Sequence, residues 1–205
     1  MKKFPDTIPV FPLSGVIYFP KTNLPLNIFE ERYLSLVNDA YNNDKLMGMV
    51  QSKKEDNEVY QIGCLGKISD LQKIKDGRIL INLTGISRFK ILEEVSNNKL
   101  YREFKVDYQN FSGDINEIHK EVDTKSLMEK SKDFFKKNGL LLNWKEFEKL
   151  DQSQKINTLA MIAPVTNEEK QKLLEAVTAG EKVSTLESIM SFYLYESSFN
   201  NQTIQ

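Results

Sequence analysis

IPVFPLSGVIYFPKTNLPLNIFEERY, residues 8–33, sets the reading of the first half of this chain. Short apolar runs alternate with Pro9, Pro12, Gly15, Pro20 and Pro25, a spacing too tight for helices and suited to strands joined by turns. Pro12, Pro20 and Pro25 fit edge positions, where no amide donor is needed, and Gly15 fits a turn. The last residues then change period. Glu30 to Tyr41 places Tyr33, Leu34, Val37 and Tyr41 at helical spacing, with Glu30 and Glu31 in the first turn where the helix dipole favours anions. One helix is therefore expected to lie on the strands.

The strand texture continues to about Tyr108. In QIGCLGKISDLQKIKDGRILINL, residues 61–83, Asp76-Gly77 provides a tight turn between two strand-like runs. Ile79, Ile81 and Leu83 should face one side and Arg78, Leu80 and Asn82 the other, with Leu80 the exception to a polar outer face. RFKILEEV and YREFKVDY read as two further strands joined by Ser96-Asn97-Asn98-Lys99. Gly63, Gly66 and Gly85 suit turns or bulges.

Beyond Asn110, Gly and Pro become scarce and apolar residues recur every three or four positions. Asp114 to Asn138 reads as one long helix carrying Ile115, Ile118, Val122, Leu127, Phe134 and Phe135, stopped near Gly139. Ile156, Leu159, Ala160 and Ala163 form a stripe ended by Pro164. Leu173, Leu174 and Val177 form another behind a capping box of Thr166 with Glu169. After Gly180, Ser184 and Glu187 make a second box for a helix lined by Leu186, Ile189, Met190, Tyr193 and Leu194. The expected division is 1–110, 111–199 and a frayed tail of 200–205.

The chemistry of these 205 residues is narrow. Lys plus Arg (28) balances Asp plus Glu (29), so no global field draws the chain to nucleic acid or an anionic membrane, and neither is an expected partner. One His and one Cys cannot supply the ligands of a zinc site. No phosphate-binding G-x-x-x-x-G-K-[ST] loop and no G-x-S-x-G elbow occurs. Cys64 and His119 are the one imaginable nucleophile and base, yet they fall in different halves. A buried strand thiol and a solvated imidazole are the plainer readings. The carboxylate pairs Glu30-Glu31 and Glu93-Glu94 are sequence neighbours that point apart. The basic clusters Lys53-Lys54 and Lys130, Lys132, Lys136 and Lys137 read as solvated faces. No catalytic residue, metal or cofactor is expected. A lone cysteine, no signal-peptide core after Met1-Lys2-Lys3 and no long apolar run lead to the expectation of a cytoplasmic protein.

The order of motifs in residues 8–33 resembles the opening of the Lon protease amino-terminal domain, Pro-x-Phe-Pro-Leu, Phe-Pro, then Pro-Leu-x-Ile-Phe-Glu-x-Arg-Tyr. Ile62-Gly63-Cys64-Leu65-Gly66 and Gly85-Ile86-Ser87-Arg88-Phe89 continue the similarity, which covers Pro5 to about Gln109 well. The helical half is similar in layout and in Ala163-Pro164 and Glu169-Lys170-Gln171. The resemblance implies an α+β fold: a PUA-like mixed β-barrel with one packed helix, then a C-terminal helical bundle. It also implies a role in recognising exposed apolar segments of other polypeptides. With the chain ending at Gln205, neither the ATPase nor the Ser-Lys protease of full Lon enzymes is expected. Docking on a full-length Lon protease and RNA binding through the barrel are the alternative roles. The aromatic-rich loop Val16–Leu26 makes Tyr18, Phe19, Pro20, Leu24, Leu26 and Phe29 the candidate peptide-binding residues, although Phe19 and Phe29 would equally serve as core. Pro12, Glu30, Arg32, Tyr33, Gly63, Gly66, Gly85, Arg88 and Phe89 are expected to serve the fold, with Glu30 and Arg32 fastening the helix to the sheet.

Overall fold

The computed structural model describes residues 4–53, 58–116 and 122–200, with side chains described as far as Tyr195. The chain divides into two compact units, residues 1–117 and 118–205.

The first unit holds β1 (Thr7–Leu13), β2 (Asn23–Ile28), α1 (Glu31–Asn42), β3 (Leu46–Gln51), β4 (Ile62–Lys73), β5 (Ile79–Val95) and β6 (Arg102–Asp107) in one mixed sheet of order β2-β5-β4-β3-β1-β6. β1 and β3 run parallel, with α1 as their crossover, and every other pair is antiparallel. β6 also pairs with the far half of β5, so the ladder β5-β4-β3-β1-β6 returns to β5. β2 stands outside that circuit, on the near half of β5. Ile8, Val10, Val50, Leu65, Phe89, Phe104 and Val106 meet in one buried cluster. They come from five strands far apart in sequence, and their removal from water is the main stabilising term of this unit.

RFKILEEV is not a separate strand. β5 runs unbroken for 17 residues, and its inner residues Ile79, Ile81 and Leu83 are buried while Leu80 is 39% exposed. The preceding turn takes only one left-handed residue. Gly77 has φ 92°, its N–H donates to Ile74 C=O, and Ile74 N–H donates to Arg78 C=O. This is the three-residue hairpin with a glycine bulge, so Asp76 keeps ordinary backbone angles. Glu30 stands at the N-cap of α1, whose buried face is Tyr33, Leu36, Val37 and Ala40. Leu34 and Tyr41, expected on that face, are half-buried at its margins.

The second unit contains α3 (Lys125–Lys137), α4 (Trp144–Glu148), α5 (Gln152–Ile162), α6 (Asn167–Glu175) and α7 (Ala179–Asn200), with α3, α5 and α6 all touching α7. Leu127, Phe134 and Phe135 of α3 and Leu186 and Met190 of α7 are buried. The single helix expected over 114–138 is instead two elements, α2 (Gly113–Asn116) in the first unit and α3. Val122–Thr124 is not helical: Gln152 holds the Val122 backbone by both its N–H and its C=O, at 3.2 and 2.7 Å. Ile118 lies outside the described residues. Gly139, at φ 68°, ends α3 as expected.

Thr166 and Glu169 form the expected capping box of α6, and Asp151 with Gln154 forms another on α5. Val177 lies beyond α6 and is 49% exposed. The box expected at Ser184 and Glu187 is displaced. Thr178 and Glu181 cap α7 six residues earlier, by Thr178 N–H to Glu181 (3.0 Å) and Glu181 N–H to Thr178 Oγ1 (3.1 Å). Ser184 is then an interior helical residue whose carbonyl accepts from Ser188.

Candidate functional site

The Phe19-Pro20-Lys21-Thr22 turn governs which aromatics of the Val16–Leu26 stretch reach solvent. Thr22 N–H donates to Phe19 C=O (3.2 Å), and the Thr22 hydroxyl donates to the same oxygen (2.6 Å). Proline suits the second position of such a turn, while Lys21 takes the left-handed third, at φ 62°. The turn is seated on β5, because Lys21 N–H donates to Gly85 C=O and Gly85 N–H to Thr22 C=O, both 2.9 Å. An added Cβ on Gly85 would collide with the Phe19 carbonyl. A lysine in this conformation costs about 1 kcal/mol. Lys21→Asn is accordingly expected to raise stability by up to about that amount, read as a higher midpoint in thermal unfolding.

The seating turns the aromatics inward. Tyr18 is 2% exposed, Phe19 is at 0%, and Pro20 and Leu24 are buried as well. These four candidate peptide-binding residues are core, which corrects the expectation that they contact a ligand. Pro20 serves the turn rather than a strand edge. Tyr18 donates its hydroxyl to Cys64 C=O at 3.1 Å, and burial, followed by the neighbouring Cys64, pushes its phenol well above the ordinary value. Burial raises Tyr108 likewise. A raised phenol contributes stability that is intact below the unfolded value of 10.0 and is lost as pH climbs past it. The urea midpoint should therefore fall between about pH 9 and 11, and less steeply in Tyr18→Phe.

Two candidates remain accessible. Leu26 is half-buried, and Phe29, one residue past β2, is 65% exposed, so it is not core. Alternation along the strand puts Phe29 on the outer face with Asn23, Pro25 and Asn27, all exposed. On β5, Leu80 pairs with Asn27, diagonal to Phe29. Beside them runs a chain of neutral polar groups. Thr84 bonds Asn23 Oδ1 (2.8 Å) and Ser69 Oγ (3.1 Å), and Asn82 Nδ2 donates to Ser69 Oγ (3.2 Å).

Glu30 and Arg32 do not fasten α1 to the sheet. They pair with each other at 2.9 Å on the surface, and Arg32 lies over the Tyr33 ring. Tyr33 is the fastener. Its ring packs on Phe11 at 4.1 Å and its hydroxyl donates to Pro12 C=O at 3.3 Å. Gly63 and Gly66 lie in β4, where an added Cβ on Gly63 would sit 2.5 Å from Met49 O and one on Gly66 would strike the Tyr18 hydroxyl. Phe89 is fully buried. Arg88, 4% exposed, grips Asp114 through its backbone N–H and two guanidinium nitrogens, at 3.0, 2.8 and 2.8 Å, and stacks on Phe111.

Cys64 is buried in β4, and His119 lies outside the described residues, as does Lys54. Glu93 pairs with Lys105 and Glu94 with Arg102 across β5 and β6. Lys53 pairs with Glu58, Lys132 with Glu148, and Lys137 donates to Leu194 C=O. Among the described residues no group of three or more His, Cys, Asp or Glu could hold a metal, and no helix is long and apolar enough to cross a membrane.

This combination of a mixed sheet and helices is similar in fold to solved structures. The crystal structure of a Lon N-terminal domain protein from Xanthomonas campestris superposes with a TM-score of 0.62, at 18% identity over 89% of this chain and 97% of that one. The N-terminal domain of a Mycobacterium avium complex Lon protease gives 0.62 at 16% identity, over 90% and 98%. Among full-length sequences, Lon protease of Syntrophus aciditrophicus is 26% identical over 94% of this chain, and that of Flavobacterium johnsoniae 30% identical over 46%. This chain spans 26% of the first and 12% of the second. The family model described as the ATP-dependent protease La (LON) substrate-binding domain matches residues 7–191, and the chain belongs to that family.

Proposed function

We propose that this chain is a non-catalytic polypeptide-recognition module that binds exposed apolar segments of other proteins through the outer face of β2 and the adjoining part of β5. The observation that carries the reading is Phe29. In a stretch whose other aromatics fold inward, it keeps 65% of its surface in water, with partly exposed Leu80 diagonal to it on the same face. Family membership gives such a surface its natural role, and the balanced charge suits polypeptide better than polyanion. We read the returning ladder as a PUA-like barrel, the helices after Asn110 as the accompanying bundle, and the setting as cytoplasmic.

Burying two or three such side chains gains about 1.5 to 3 kcal/mol each before the cost of association, so binding should be weak, in the range of roughly micromolar or above. Titrating fluorescent, reduced and carboxymethylated α-lactalbumin should give saturable binding in that range. Phe29→Ser should weaken it about tenfold with no change in melting temperature, as an exposed residue predicts. No saturable signal at high micromolar protein would sink the proposal. Similarity to Lon proteases supports a second reading, an adaptor that docks on a full-length Lon enzyme. A pulldown that retains Lon without any client would favour it, and salt-sensitive retention of RNA would favour neither.

A further inference from the structure

Among the described residues β2 is paired on one side only. Its ladder to β5 matches Leu24 with Leu83, Leu26 with Ile81 and Ile28 with Ile79. Apart from that ladder, no backbone hydrogen bond involves residues 23–28 among the described residues. The hydrogen bond from Gly85 N–H to Thr22 C=O fixes the phase of the alternation. Positions 22, 24, 26 and 28 turn their backbone groups toward β5, and Asn23, Pro25 and Asn27 turn theirs away. Proline stands where its missing N–H leaves the β5 ladder whole. The free edge therefore offers the N–H and C=O of Asn23, the C=O of Pro25, and the N–H and C=O of Asn27.

We infer that this edge receives an extended, uncharged segment of a bound polypeptide as an added β-strand, a binding mode that rests on the polypeptide-recognition reading above. A row of alternating backbone donors and acceptors is complementary to another extended backbone. Strand edges that must stay unpaired are guarded by charge or by proline; Asn23–Ile28 carries no charge, and its one proline, Pro25, removes a single donor from the row. Neutral flanks also select the occupant's composition. Side chains on its inner face cover half-buried Leu26 and should be apolar, while those on its outer face meet Asn23 and Asn27 and should be neutral and polar. Phe29 closes the end of the track. A second copy of the chain fits less well, because in the two-fold register centred on Pro25 the two prolines face one another and neither carbonyl finds a donor.

The test uses a fluorescent ten-residue peptide alternating apolar and neutral polar residues, together with two forms of it N-methylated on either the odd or the even amides. Carboxymethylated α-lactalbumin is titrated alongside. One methylated form should lose at least tenfold in affinity while the other binds as the parent does, since only one edge of the peptide meets β2. Asn27→Pro should weaken the parent peptide about three- to tenfold with the melting temperature unchanged, and Pro25→Val should strengthen it by a similar factor. Equal binding of all three peptides, indifferent to Asn27→Pro, would overturn strand addition and leave polypeptide recognition standing. Binding of α-lactalbumin without the peptide would do the same. Failure of both ligands would overturn both proposals, and a dimer in sedimentation equilibrium that Asn27→Pro dissociates would assign the edge to a second copy instead.

Discussion

Gly85→Ala is expected to destabilise the first unit by about 3 kcal/mol or more, a large share of the roughly 5 to 15 kcal/mol that hold a domain folded. The new methyl would be driven into the Phe19 carbonyl and against the Pro20 Cα, both of them backbone that cannot rotate away. Relief requires lifting the whole turn off β5, which breaks the Lys21–Gly85 and Gly85–Thr22 hydrogen bonds and uncovers Tyr18 and Phe19. Urea unfolding followed by tyrosine fluorescence measures the loss. Gly113→Ala is the control, because an added Cβ there meets nothing within 4 Å. A Gly85→Ala protein within about 1 kcal/mol of the parent would mean that the turn is not seated as described.

Arg88→Met should cost about 3 to 5 kcal/mol for a different reason. Asp114 is 10% exposed in its side chain and accepts three hydrogen bonds from Arg88, so removing the guanidinium strands a carboxylate in poor solvent. The penalty belongs to the broken pair rather than to the pair's net worth. Arg88→Met combined with Asp114→Leu should therefore recover most of the loss, and the urea midpoints of both singles and the double reveal it. Additive losses in the double variant would show that the two side chains do not act on one another.

Both residues bear on what the sequence disclosed. The Gly77 hairpin, the Thr166 box and the stripe at Ile156, Leu159 and Ala160 were legible because each depends on residues a few positions apart. Gly85 was visible as a motif residue, yet it looked like a break between strands. Its real reason, a carbonyl 66 positions upstream in close approach, has no local signature. The partner of Arg88 was hidden too, since Asp114 read as the start of a long helix. The candidate site was half legible. Composition marked the aromatic stretch, but it left Phe29 as readily core as surface, and its exposure is a finding of the structure. That Tyr18 and Phe19 fold inward follows from the turn's docking on β5, a contact between residues about sixty positions apart. The open edge of β2 had one local sign, Pro25 in an otherwise strand-like run.

The return of the sheet's ladder to β5 also has a consequence in time. β1 is the first strand to be synthesised, but one of its two neighbours, β6, arrives only at Arg102–Asp107. Until then Thr7–Val10 lacks that partner and the cluster around Ile8 lacks Phe104 and Val106. Closing so long a loop before contacts reward it makes for slow, cooperative folding. A nascent chain stalled before residue 102 should stay protease-sensitive and chaperone-bound, and one extended past residue 107 by enough to clear the ribosome should become resistant in a single step.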